Sequence, residues 1–380
     1  MSSSPPPFYK LWNFADHRIQ SLVFKVTEQC NLACNYCYRQ GIERLPKHMD
    51  LLTVRNAIAS YAEWLEHHNM KQRPMYLIWH GGEPLICGID YYQSVFDLQK
   101  EFPDFTIRNA FQTNGTLITQ EWIDFFKEKN AQVGISIDGP KHVHDIHRLR
   151  ITKASSFEST MRGVRLLRKN ECNYSAISVL SNETAEYILE TLDFLVAEGF
   201  SVVDFIPSFL HNDPSTLGTK KYAEAMVGLY DHWKQHYEGQ VYIRFLGDIE
   251  GRVRNNITSV GCELAGCCGE NLSINVFGDV YPCECTSTFH ELCIGNINKT
   301  SFEQMFSGSD FDSWKTLVNQ IDDKCISKCT VAEICRGGCF NRRYQGEGKT
   351  ERCDLFCAPR YAIMKHVQQS IQKEDNCHVK

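Results

Sequence analysis

The sequence predicts an α/β fold, a partial TIM-type (β/α)6 barrel followed by a smaller cysteine-rich module. Three observations carry this. Between residue 20 and about residue 235, short apolar strand patterns alternate six times with amphipathic helix patterns, as in a parallel sheet with crossover helices. No glycine-rich dinucleotide loop follows the first strand, which argues against a nucleotide-binding doubly wound sheet. Twelve of the eighteen cysteines lie from Cys262 to Cys357, so the composition changes near residue 240–260.

Strands are expected at Leu22–Thr27, Met75–Trp79, Thr106–Gln112, Gln132–Ile137, Tyr174–Leu180 and Val202–Pro207. Helices are expected near 52–69, 90–102, 119–130, 156–170 and 183–199, with a last one from about Tyr222 to Tyr237. Asp50 is placed to cap the first helix and Gly199 to stop the fifth before the sixth strand. The domains then read as a lead-in over 1–19, a barrel over 20–240 and a cysteine-held module with a C-terminal helix over 241–380.

A chain of 380 residues with 43% hydrophobic content can bury a large core. Its net charge of −6, with both signs interspersed, gives no nucleic-acid or anionic-membrane surface. No apolar run approaches a membrane span, and Met1-Ser-Ser-Ser-Pro-Pro-Pro7 lacks the features of a secretory signal, so a cytoplasmic protein is expected. Many cysteines without an export signal point to metal rather than disulfides.

Cys30, Cys34 and Cys37 stand in the run Cys30-Asn-Leu-Ala-Cys34-Asn-Tyr-Cys37, directly after the first strand. Three thiolates leave one iron of a cubane cluster without a protein ligand, where a small molecule can bind and receive an electron. A zinc site would want a fourth ligand, and buried core thiols are the bland reading. Other candidate motifs also fall at strand ends, where barrels collect ligands. They are His80-Gly81-Gly82-Glu83-Pro84, Thr113-Asn114-Gly115 and Ser136-Ile137-Asp138-Gly139-Pro140.

This constellation over residues 20–210 resembles the radical S-adenosylmethionine (SAM) enzymes. The resemblance implies a [4Fe–4S] cluster on Cys30, Cys34 and Cys37, with Tyr36 as the aromatic before the last cysteine. It implies that the cluster cleaves SAM to a 5′-deoxyadenosyl radical. Gly81, Gly82 and Glu83 match the segment that meets the SAM ammonium group. Asn114, Ser136 and Asp138 sit where polar groups meet the ribose or carboxylate, each with a turn-forming alternative. Arg148 either pairs with the SAM carboxylate or is an ordinary surface arginine. The runs Gln112–Thr116 and Gly134–Pro140, with His144 and Asp145, look most like the branch holding anaerobic sulfatase-maturating enzymes and ribosomal-peptide cross-linking maturases.

The cysteine-rich part resembles the SPASM domain, which carries two auxiliary [4Fe–4S] clusters. By that resemblance Cys262, Cys268, Cys283 and Cys339 hold one, and Cys325, Cys329, Cys335 and Cys357 the other. Cys267 competes with Cys268, which the spacing to Gly278 favours; Cys353 competes with Cys357, which the closing segment favours. Cys325 stands one residue further from Cys329 than is usual for the family. Gly278-Asp279 reads as a hairpin turn between Leu272–Val276 and the Cys283 arm. Cys87, Cys172, Cys285, Cys293 and Cys377 are read as plain thiols. Glu284 follows Cys283 where sulfatase maturases place an Asp proposed to take a substrate proton; it is either that base or a solvated carboxylate.

The expected function is oxidative modification, by cross-linking, of a side chain in a ribosomally made peptide, with an external one-electron reductant of flavodoxin or ferredoxin type. Formylglycine formation on a sulfatase and small-molecule dehydrogenation or epimerisation are the alternatives; an iron–sulfur scaffold is the non-enzyme rival. With 29 residues before Cys30 there is no room for a leader-binding domain, and Pro207–Pro214 is a candidate substrate-facing loop.

Overall fold

The computed structural model describes residues 19–37, 48–209, 216–254, 261–265 and 268–378. Most of the expected lead-in, the part of the Pro207–Pro214 loop beyond residue 209, Cys267 and the side chain of Cys377 lie outside the described residues.

The barrel strands are β1 (Ser21–Thr27), β2 (Met75–Gly81), β3 (Ile107–Thr113), β4 (Gln132–Ser136), β5 (Tyr174–Leu180) and β6 (Val202–Pro207). A short β7 (Tyr242–Ile243) continues them. Each pairs parallel with its neighbour in sequence order. The helices are α1 (Leu51–His67), α2 (Ile89–Gln99), α3 (Gln120–Glu128), α4 (Lys141–His147), α5 (Phe157–Lys169), α6 (Ile188–Ala197), α7 (Thr219–His236) and α8 (Arg244–Val253). The six expected strands and their helices are all present. Asp50 caps α1, accepting from the Thr53 amide at 2.6 Å. Helix α6 ends just before Gly199, as expected. The helix α4 and the pair β7–α8 were not expected from the pattern.

Alternation along the strands sorts the two faces. One face packs on the helices. There Phe24 stacks on Trp79 at 4.8 Å between ring centres, and Tyr92 and Trp122 of α2 and α3 pack against Phe111. Burying each such ring contributes about 1.5–3 kcal/mol. The Trp79 indole donates to Asn109 at 2.9 Å, and Asn109 and Gln99 exchange two hydrogen bonds at 3.0 Å, so the polar groups in this layer are satisfied. The other face turns into the barrel. Strand register places Lys25 beside His80, Gln112 beside Gly134, Ser136 beside Ile177 and Val179 beside Ile206 on that face.

The cysteine-rich part does not stand apart from the barrel. Its hairpin, β8 (Asn271–Ile274) and β9 (Asp279–Tyr281), turns at Gly278 as expected, and β8 pairs parallel with β1. With β10 (Gly295–Asn296) this makes one ten-stranded sheet in the order β10-β9-β8-β1-β2-β3-β4-β5-β6-β7. The C-terminal helix (Cys357–His378) packs back on α7 and α8. Tyr222 meets Phe356 there at 5.1 Å between rings, and Lys234 pairs with Glu250 at 3.0 Å and Glu374 at 3.7 Å. Among the described residues no helix is long and apolar enough to cross a membrane.

Because β1 carries β8 on one edge and the C-terminal helix covers α7 and α8, the barrel needs the rest of the chain. A version ending at residue 254 exposes a paired central edge. It is expected to elute as aggregate in gel filtration, where the full chain runs as a discrete species.

Candidate active site and cluster sites

The loop carrying Cys30, Cys34 and Cys37 leaves the top of β1 and has little regular structure of its own. It is held from two sides. On the β2 side, Gly82 and Glu83 donate their amides to Thr27 and Gln29 carbonyls at 2.7 and 2.8 Å. A Cβ on Gly81 would lie 2.3 Å from the Thr27 carbonyl oxygen, and one on Gly82 would lie 2.1 Å from that of Gln29. The Gly-Gly pair is therefore required first by the approach of the cysteine loop, before any ligand. On the other side, Ala33 and Asn35 donate amides to the Leu149 and His147 carbonyls at 2.8 and 3.3 Å. The segment after α4 thus acts as backbone support for the cysteines.

Glu83 is fully buried and satisfied. Its carboxylate accepts from the Leu85 amide (3.0 Å), the Thr113 hydroxyl (2.7 Å) and the Asn114 amide (2.7 Å). It ties the ends of β2 and β3 together, a clamp where the resemblance implied cofactor contact. Asn114 is turned to the cysteine loop: its amide group donates to Asn31 at 2.8 Å and lies 4.0 Å from the Cys30 sulfur. Asn31, which sequence reasoning passed over, in turn donates to Thr116 at 2.8 Å. Ser136 accepts from Gln112 at 2.9 Å inside the barrel.

Asp138 is also fully engaged. The Tyr36 hydroxyl donates to it at 2.5 Å, the Val179 amide donates at 3.0 Å, and Arg148 pairs with it at 2.9 Å. Arg148 is buried and its guanidinium lies 5.5 Å from the centre of the Tyr36 ring. The surface reading of Arg148 is thus excluded, and the Asp138 carboxylate holds Tyr36 and Arg148 where a ribose contact was expected. This triad fixes the loop between Cys34 and Cys37.

Glu284 does not point to open solvent. It stands between the cysteine module and the barrel lumen, 3.2 Å from the Lys25 ammonium, with the Ser273 hydroxyl donating at 2.7 Å and His80 at 3.8 Å. Lys25 also donates to Ser287 at 2.5 Å. No sequence pattern pointed to Lys25, because a lysine inside an apolar strand reads as an edge or a surface residue.

In the C-terminal part, the Cys285 thiol donates a hydrogen bond to the Cys283 sulfur, and Cys339 lies close enough to interact electrostatically with both. Cys285, read from the sequence as a plain thiol, is thus a direct neighbour of the expected ligand Cys283. Cys357 neighbours Cys329, Cys335 and Cys353, and Cys325 touches Cys353 at 3.3 Å. The Cys262–Ala265 turn joins this region through Glu263, which binds Arg342 and Arg360; the latter contact is 2.5 Å. Asp354 accepts from Arg342 at 2.9 Å and from the Cys339 amide at 2.8 Å, and these cations hold its carboxyl down at about 2. Cys268 lies in the same region, near Arg343.

These donors fit iron–sulfur chemistry. Among the described residues no group of three or more His, Cys, Asp or Glu side chains is arranged around a single metal ion. A cubane takes thiolates spread more widely, one outside each corner iron. Burial pushes the Cys30 thiol up to about 12 and Cys34 to about 11, so these sulfurs carry charge only when a metal shares it.

Comparison with known proteins agrees with this geometry. Residues 24–195 match the family model described as Radical SAM superfamily, and residues 266–339 match SPASM, an iron–sulfur cluster-binding domain. The cysteine-type anaerobic sulfatase-maturating enzyme of Clostridium novyi (strain NT) is 28% identical over 351 residues, covering 89% of this chain and 92% of that protein. The serine-type enzyme of Bacteroides thetaiotaomicron is 28% identical over 373 residues, covering 91% and 88%. The solved structure of native anSMEcpe with bound AdoMet and Cp18Cys peptide has the same fold, with a TM-score of 0.83 at 23% identity over 95% of this chain and 99% of that one. The chain is a radical SAM enzyme with a SPASM domain. Within that class it is similar to the anaerobic sulfatase-maturating enzymes along nearly its whole length. Its cofactors are a [4Fe–4S] cluster with SAM and auxiliary iron–sulfur clusters.

Asp138→Asn leaves the buried Arg148 without its counter-charge. It is expected to destabilise the chain by about 3–5 kcal/mol in denaturant unfolding. Burial also pushes Glu83 up from 4.5 to about 7. Its folded-state value is raised, so its contribution to stability is full below pH 4.5 and is lost as pH rises through about 7. Glu83→Gln does not ionise. The stability of wild type relative to this variant, read by denaturant unfolding from pH 5 to pH 8, should fall with rising pH by on the order of 2–3 kcal/mol.

Proposed function

We propose that the chain oxidises a Cys or Ser side chain of a polypeptide to the aldehyde level, the formylglycine-forming reaction of a sulfatase maturase. The observation that carries this is Glu284, held over the barrel lumen by Lys25 and Ser273 and facing the same space as His80. The relatives that match nine-tenths of the chain carry both cysteine-type and serine-type names, which favours this reaction over the peptide cross-linking expected from the sequence.

In this reading Cys30, Cys34 and Cys37 hold the cluster that binds SAM. Carbonyls of the Gly81–Gly82 turn would accept from its ammonium group, and Asn114 and Ser136 would offer polar atoms beside it. Cys262, Cys268, Cys283 and Cys339 hold one auxiliary cluster, and Cys325, Cys329, Cys335 and Cys357 the other, with an external flavodoxin or ferredoxin supplying electrons. When bound, these groups supply the electron that cleaves SAM and accept the substrate's second electron. The substrate's –CH2–SH or –CH2–OH group would lose one hydrogen atom to the radical derived from SAM, one proton to Glu284 and one electron to an auxiliary cluster. A serine would then be the aldehyde, and a cysteine a thioaldehyde that water hydrolyses to the aldehyde and hydrogen sulfide. The Lys25 ammonium and the Ser273 hydroxyl hold the Glu284 carboxylate in the position from which it would take that proton.

The test is anaerobic incubation with SAM, dithionite and two sulfatase-derived peptides, one with Cys and one with Ser at the target position. Deoxyadenosine and a hydrazine-trapped aldehyde are expected. A peptide that loses two hydrogens without aldehyde would favour cross-linking instead. Glu284→Gln should still form deoxyadenosine while aldehyde yield falls about 10²-fold or more. Changing Cys30, Cys34 and Cys37 together to Ala should abolish deoxyadenosine; its survival would sink the reading.

A further inference from the structure

We propose that Cys325 and Cys353 serve one and the same corner of the second auxiliary cluster. Either thiolate then completes the ligand set formed with Cys329, Cys335 and Cys357. The inference rests on the assignment of that cluster to this cysteine run.

Five thiols gather here, one more than a cubane with four irons takes. Cys357 has Cys329, Cys335 and Cys353 as electrostatic neighbours, and Cys325 has Cys353 and Cys357. Within this group the Cys325 and Cys353 sulfurs stand 3.3 Å apart, both as thiols. Thiolates on neighbouring irons of a cubane cannot be this close, because each lies outward from its own corner. Two sulfurs this close would fit a single corner iron, one at a time, and not two neighbouring ones.

The contact is built by backbone anchors on both sides. The Asp322 amide donates to the Arg352 carbonyl at 3.0 Å, and the Cys325 amide to the Asp322 carbonyl at 2.9 Å. Asp322 also caps the short helix Asp323–Ser327, accepting from the Lys324 amide at 2.8 Å. That sets Cys325 beside Arg352. On the far side of Cys353, Asp354 is buried and locked by Arg342 and by the amides of Cys339 and Phe356, both at 2.8 Å. The Cys357 amide donates to the Asp354 carbonyl at 2.8 Å. Cys353 is thus held between two fixed residues, next to Cys325 and four residues before Cys357.

The test uses the full chain as wild type, Cys325→Ala, Cys353→Ala, the double variant and Cys357→Ala. All are reconstituted anaerobically with iron and sulfide. Iron and acid-labile sulfide per chain are measured, with EPR of the dithionite-reduced protein. Both single variants at the doubled corner are expected to keep the wild-type iron content. The double variant and Cys357→Ala should each lose about a third of the iron, one [4Fe–4S] cluster of three. Iron retained at the other two clusters reports that a variant chain is folded. Loss of a third of the iron in either single variant would show that one thiolate alone holds the corner, and an undiminished double variant would show that neither does; each overturns the proposal. A wild type with fewer than three clusters would instead overturn the cluster assignment, and this inference with it.

Discussion

The structure depends on the parallel pairing of β8 with β1. This pairing makes the cysteine-rich module an extension of the barrel sheet, so its residues are placed by strand register and not by a flexible linker. Ser273 lies opposite Val23 in β1, and Lys25 lies opposite His80 in β2, all on the lumen face. These are the three side chains that surround Glu284. A slip of one residue would turn Ser273 to the helix-packed face and remove a donor from the carboxylate. Cys30 follows the C-terminal end of β1, and Cys283 leaves the antiparallel β9 toward the end where β1 begins, so the two cysteine sites flank opposite ends of the same part of the sheet.

The cysteine loop after β1 borrows its order from buried carboxyl groups on its neighbours. Glu83 and Asp138 each accept from three partners, and burying a carboxylate is tolerable only with that degree of satisfaction. The same device recurs under the auxiliary cysteines, where Asp354 and Glu263 are matched by Arg342 and Arg360. In both places a polar network adds to sparse backbone contacts, such as the isolated bridge between Leu32 and Arg150, in fixing a cysteine-bearing loop. Such networks cost stability when broken and so favour a single arrangement of the loop.

The barrel was legible because its signal is local. The six strands and their helices carry their own periodicity, and Asp50 and Gly199 carry the chemistry of their caps. The first cysteine motif was legible because its spacing lies within one loop. What was not legible depended on contacts between distant segments. Pairing of β8 with β1 joins residues about 250 positions apart, and a hairpin read alone says nothing of its next neighbour. Lys25 and Asn31 gain meaning only beside Glu284 and Asn114. Asp138 and Arg148 were picked out by position, but their pairing with each other could not be seen without the turn of α4 that brings them together. Cys285 was read as a plain thiol and Cys353 was ranked behind Cys357, but the fold sets Cys285 against Cys283 and Cys353 against Cys325, contacts that no local spacing shows.

The lumen itself is divided. Its β1–β4 side is polar, with Lys25, His80, Gln112 and Ser136, and lies under the cysteine loop and Asn114. Toward the strand ends its β5–β6 side is aliphatic, with Val179 and Ile206 on the inner face, whereas Asp204 stands beside Ile177 deeper on that face; Ile206 is 40% exposed. A zwitterionic, nucleoside-bearing cofactor is best served by the first side, where hydrogen-bonding groups replace its hydration shell. A carbon-centred radical is best served by the second, because aliphatic walls exclude water. Glu284 sits on the polar side with its charge balanced by Lys25, at the edge where the cysteine-rich module meets the barrel. A substrate side chain entering between these walls would present its carbon to the cofactor and its acidic hydrogen to that edge. In the proposed formylglycine reaction the sheet would thus separate hydrogen-atom removal from proton removal by placing them on different strands, with the pairing of β8 with β1 setting the distance between them.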